Sequence, residues 1–149
     1  MTVIDALVRA RIRKGLTVAE VARRSGLKRS NLSAIEHGRR DPTADTLEKV
    51  ARGVGSRVLV VDTDGRSTVA EIASGIAVQL SRGDRWGAAR LLVQIDGDLG
   101  SARAGMRPLL SAVPPDRVAP EWDAAIAGIV EWRLTEAGLP LPDWVTDAG

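Results

Sequence analysis

The 149-residue chain contains no cysteine, no phenylalanine and no tyrosine, and a single histidine, His37. Without cysteine there are no disulfides, no thiol nucleophile and no thiolate metal site. One histidine excludes a multi-histidine zinc centre, so neither a metal nor a cofactor is expected. No apolar run approaches the ~20 residues that a membrane-spanning helix needs. The start, MTVIDALVRARIRKG, carries charges throughout its helical pattern and lacks the uncharged apolar core of a signal peptide. The expectation is a cytoplasmic protein that does not engage a membrane, long enough for one ordinary domain or two small ones.

What is present is unevenly distributed. The formal net charge of +2 conceals two opposed lobes. Residues 1–60 hold 13 Lys and Arg against 6 Asp and Glu, and residues 61–149 hold 8 against 13. A basic N-terminal lobe is the electrostatic footprint of a phosphate-binding surface. The acidic remainder would be repelled by the same polyanion, so its partner should be something else.

The basic lobe carries the most specific pattern, LTVAEVARRSGLKRSNLSAIEHGRRDPTADTL over Leu16–Leu47. Thr17 and Glu20 form a capping box, each satisfying a backbone donor at a helix start. Val18, Val21 and Ala22 then repeat at helical spacing, and Gly26 supplies the left-handed residue that ends a helix cheaply. A second run follows, with Leu32 and Ile35 inward and Lys28, Arg29, Ser30, Asn31 and Ser33 outward, closed by Gly38. A preceding helix is predicted over about Val3–Lys14, with Ile4, Leu7, Val8 and Ile12 inward. A fourth is predicted from Thr43 or Ala44, burying Leu47, Val50, Ala51 and Val54.

Gly26-Leu27, Leu32-Ser33, Ile35-Glu36, Gly38, Pro42-Thr43 and Thr46-Leu47 lie at the offsets of the Cro/repressor-type helix-turn-helix family, which the chain resembles over roughly residues 3–57. The resemblance implies double-stranded DNA as partner, with the second helix of the motif in the major groove. Lys28, Arg29, Ser30, Asn31 and Ser33 are then the candidate base readers. Arg29 is foremost, because a guanidinium bonds guanine O6 and N7 together. Arg39 and Arg40 in the following loop are expected on phosphates, which fixes register without reading sequence. Thr17 and the helix it opens offer backbone N–H groups to another phosphate. The resemblance also implies a partly buried Arg11–Glu36 ion pair. Val18 and Lys28 depart from the family pattern: relatives often carry glutamine at the first position and a Ser or Thr cap at the second.

Beyond the fourth helix, Val58, Leu59, Val60 and Val61 read as a short buried strand bounded by the turn Asp62-Thr63-Asp64-Gly65. The same letters resemble the first motif of haloacid-dehalogenase-like phosphatases, in which one aspartate attacks phosphorus beside a magnesium ion. Such an enzyme needs a downstream lysine, and none follows Lys49. A calcium loop fails too, because its twelfth position is Ala73. No enzyme is expected. A lone buried strand must satisfy its backbone, either antiparallel to its copy in a homodimer or against its own C-terminal helices.

From Ser67 the pattern is helical. Thr68 and Glu71 make a second capping box, followed by Val69, Ile72, Ala73, Ile76 and Leu80. Asp84 caps a helix with Trp86, Ala89, Leu92 and Val93 inward, fading near Gly97. A weaker helix covers about Ser101–Ala112, and a long one starts near Pro120 with Trp122, Ile126, Ile129, Val130 and Leu134 inward. Trp86 and Trp122 are expected in the core. Trp132 and Trp144 are either core anchors or an apolar partner surface. The ending WDAAIAGIVEWRLTEAGLPLPDWV resembles the C-terminal module of actinobacterial helix-turn-helix regulators, some encoded beside toxin genes.

The fold expected is all-α: a four-helix helix-turn-helix domain over 1–57, a strand and turn over 58–66, and a helical partner or dimerisation domain over 67–149. The function expected is a sequence-specific DNA-binding repressor, homodimeric and autoregulating, with a toxin as the candidate partner of residues 67–149. The alternative is a one-component regulator whose helical lobe senses a small ligand.

Overall fold

A computed structural model describes residues 3–146. All regular structure among them is helical, and the chain divides into two compact units, Met1–Val61 and Asp62–Gly149.

Unit 1 holds α1 (Val3–Arg13), α2 (Val18–Ser25), α3 (Arg29–Glu36) and α4 (Ala44–Gly53). Its core is Leu7, Ala10, Val21, Ala22, Leu32, Val50, Ala51 and Val54. Leu7 and Ala10 are the buried residues of α1, while Ile12, expected inward, is exposed. A stripe through Leu7 and Ala10 puts Ile12 on the far side of an 11-residue helix. Lys14 Nζ closes the end of α4, donating to Val54 O at 2.6 Å and Gly55 O at 3.2 Å. Helices α2 and α4 approach closely at Gly53, where a Cβ would stand 3.2 Å from Val21 O and 3.3 Å from Ser25 Cβ.

Val58–Val61 forms neither a strand nor a buried segment in the chain. No strand is assigned there, and Val60 is 100% exposed. One extended segment cannot close a ladder by itself, so its backbone is left to water. The turn after it forms: Asp64 N donates to Asp62 Oδ1 at 2.9 Å, and Asp64 and Gly65 both have positive φ. The Asp62 carboxylate therefore shapes a turn.

Unit 2 holds α5 (Val69–Ser81), α6 (Arg85–Ser101), α7 (Arg107–Ser111), α8 (Pro120–Glu136) and α9 (Asp143–Thr146). Its core runs through Ile72, Ile76, Ala88, Ile95, Leu99, Leu110, Trp122, Ile126, Val130 and Leu134. Arg133 clamps α8 to α6, with Nε donating to Asp96 Oδ1 at 2.6 Å and Nη2 to Asp96 Oδ2 at 3.0 Å. These hydrogen bonds hold the Asp96 carboxyl below the usual aspartate range. Arg107 gathers the carbonyls of Gly100, Ala102 and Arg133.

The tryptophans divide differently from the periodic reading. Trp122 is buried, and Trp144 is anchored by Nε1 donating to Ser111 O at 2.9 Å. Trp86 and Val93, expected inward, are 80% and 71% exposed. Helix α6 carries apolar residues on two faces, and packing selects the one through Ala88, Ile95 and Leu99. The weaker helix expected over Ser101–Ala112 is reduced to α7: α6 runs past Gly97 to include Ser101, and residues 102–106 form a turn between the two.

Candidate nucleic-acid interface

The site is built on α2, the turn at Gly26, α3 and the loop that follows. Thr17 caps α2: Glu20 N donates to its Oγ1 at 3.1 Å, and Thr17 N donates back to Glu20 Oε2 at 2.7 Å. Those bonds, the backbone one first, hold the Glu20 carboxyl below the usual glutamate range. The Thr17 main-chain N–H is thus already engaged by a carboxylate. Gly26, at φ 70°, turns the chain so that Leu27 N reaches Ala22 O at 2.9 Å and α3 begins two residues later.

Helix α3 is fixed from behind by a bidentate ion pair. Arg11 Nε donates to Glu36 Oε1 at 2.9 Å and Nη2 to Oε2 at 2.8 Å, while Nη1 reaches Leu16 O at 2.9 Å. Both side chains are largely enclosed, at 15% and 9% exposure. With Leu32 and Ile35 buried, the pair sets the rotation of α3 about its axis.

That rotation presents the sequence-identified residues outward. Lys28, Arg29 and Ser30 are exposed, and Asn31 and Ser33 are half-buried at the edge of the same surface. Arg29 and Asn31 lie about 200° apart around the helix, so they flank opposite sides of its outer face. Lys28 stands at the N-cap with no side-chain cap bond, leaving the first-turn N–H groups without that partner. Arg39 and Arg40 are exposed in the loop. Arg40 Nη1 donates to Asn31 Oδ1 at 3.1 Å, a pairing nine residues apart that no local pattern announces. His37 Nδ1 lies 2.7 Å from Ser33 O; a carbonyl only accepts, so Nδ1 carries the proton.

Among the described residues no cluster of three His, Asp or Glu side chains is arranged to hold a metal, and no helix is long and apolar enough to cross a membrane. The helix-turn-helix family model matches residues 7–58. The uncharacterized HTH-type transcriptional regulator y4dJ of Sinorhizobium fredii is 50% identical over 58 residues, which cover 38% of this chain and 75% of that protein. No solved structure matches the chain. With the motif, its packing and these similarities in agreement, the chain belongs to the helix-turn-helix family of DNA-binding transcriptional regulators.

Proposed function

We propose that the protein is a sequence-specific transcriptional repressor that binds an inverted-repeat operator as a homodimer and controls its own promoter. The observation that carries this reading is the exposed, basic N-terminal end of α3, held in one rotation by the enclosed Arg11–Glu36 pair. Lys28, Arg29, Ser30, Asn31 and Ser33 read base edges, with Arg29 making the bidentate contact to guanine. Arg39 holds a phosphate, and Thr17 contributes by fixing the start of α2 against the backbone. Repression follows from occupancy: a protein seated on a promoter excludes polymerase without a further contact.

The dimer is supported by Val58–Val61. Four β-forming residues stand exposed, with Val60 fully in water, and antiparallel pairing with a second copy satisfies backbone and side chains together. A two-fold axis there matches an operator whose half-sites are about 34 Å apart, one turn of DNA. The test is binding of the full chain to its own upstream region and to scrambled duplex. Protection of an inverted repeat and lowered transcription from that promoter are expected. Equal affinity for both duplexes would overturn the proposal.

A second reading, that unit 2 engages a toxin and the protein is an antitoxin, is favoured by the apolar surface on an acidic lobe. Trp86 and Val93 lie on the outer face of α6, and Trp132 on α8 is 55% exposed beside Arg133. Co-expression with the product of the adjacent gene tests it: a stable complex lost on Trp86→Ala supports the reading, and separate elution overturns it.

A further inference from the structure

The Arg40–Asn31 pair carries a consequence for which base Asn31 reads. A guanidinium has donors only, so the atom it meets at 3.1 Å is the amide oxygen, and the amide nitrogen is the opposite end. The side chains cannot be exchanged end for end without losing the bond. Asn31 also lines a small cleft of about 80 Å³ together with Leu27, Ile35, Arg40, Pro42 and Thr46, so the two side chains meet at one surface of α3 and the loop. Reading adenine in the major groove requires an amide to accept from N6 and donate to N7 together. Arg40 takes one of the two lone pairs of Oδ1 and sets a cation beside the other, which disfavours the approach of a second N–H such as adenine N6, whereas the two Nδ2 hydrogens at the opposite end are not engaged by Arg40.

We propose that Arg40 is a specificity-determining positioning residue: it holds Asn31 as a hydrogen-bond donor, so that Asn31 selects a base-edge acceptor, guanine O6/N7 or thymine O4, over adenine. This rests on the DNA-reading role proposed above. The loop between α3 and α4 then contributes to sequence choice through a side chain of α3, beyond any phosphate contact of its own. Arg29, on the opposite flank, reads independently of it.

The experiment is selection of the full-length protein and its variants on a pool of randomised duplexes, with affinities measured on single-base variants of the selected site. One position per half-site should show guanine or thymine with the wild type and lose that preference in Asn31→Ala. Arg40→Ala should weaken the preference at that same position by about tenfold and leave Arg29's position unchanged. Arg40→Lys, which keeps a donor, should retain most of it. Asn31→Asp, which accepts from Arg40 but donates nothing, should shift the preference to an amino-bearing base, cytosine or adenine. Adenine at the Asn31 position of the wild type, or an Arg40→Ala protein that loses affinity equally for every duplex while keeping its base preference, would overturn the inference alone. A wild type that binds all duplexes alike would overturn the DNA-reading role itself, and this inference with it.

Discussion

Arg29 and Arg39 are both exposed arginines within eleven positions of one another, one in α3 and one in the loop beyond it, and the proposed function gives them different tasks. Arg29 begins α3, the helix proposed to enter the groove, whereas Arg39 stands beyond the helix in the loop. Arg29→Ala should cost about 1–3 kcal/mol of specific binding and relax one operator position per half-site. Arg39→Ala should weaken operator and random DNA alike and make the salt dependence shallower by about one counterion. Quantitative binding at several salt concentrations on both duplexes distinguishes them. The Arg11–Glu36 pair acts from behind. Removing one partner leaves an enclosed charge facing a vacancy, so Glu36→Ala should destabilise the protein by about 3 kcal/mol. Replacing both partners by apolar residues should cost less than the sum of the single changes, and denaturant melts of the four proteins measure this. Arg11 and Glu36 were legible from their family positions, and the structure closes them into a two-bond fork. Arg40–Asn31 was not legible, because it depends on how the loop folds back toward the helix.

At the scale of the element, capping decides where helices begin. Thr17–Glu20 and Thr68–Glu71 are two complete capping boxes, and both glutamates are held below their usual range, chiefly by the threonine backbone N–H. A depressed carboxyl pKa contributes stability that is fully present above the unfolded value, about 4.3. That contribution is lost as pH falls through the lower, folded value. Thermal melts between pH 6 and pH 3 should therefore show stability falling below about pH 4.3, and less steeply in a Glu20→Gln, Glu71→Gln protein. Equal slopes would show that other carboxylates dominate. The helix starts were readable because a cap is a local bargain among four residues. The inward face of α6 was not. Ala88, Ile95 and Leu99 are buried while Trp86 and Val93 of the expected face are left in water, with Ala89 and Leu92 of that face packed at the edge of the core.

For the whole molecule, the two units carry opposite charge and separate cores. A fragment of residues 62–149 should fold as a helical domain and show no salt-sensitive affinity for DNA, since its net charge repels phosphate. Tight DNA binding by that fragment would show that unit 2 reads DNA itself. Assembly is tested at Val60. Its N–H is lost on Val60→Pro, which should lower both dimer content in sedimentation and operator affinity while leaving the helical signal of the monomer intact. A wild type that sediments as a monomer and binds an asymmetric site undiminished would remove the strand-paired dimer.

The amino-acid sequence alone determined the helical class, the capping sites and the helix-turn-helix motif. Each of these is a pattern closed within a few residues or written at fixed offsets. The tertiary structure decided which of two apolar faces α6 buries, that Ile12 and Trp86 face water, and that Val58–Val61 finds no ladder among the described residues. It also decided that Arg40 meets Asn31. The physical reason is shared: periodicity and local pattern say what a residue could meet, but which surfaces are buried and which side chains meet is settled only when the other helices and loops are in place.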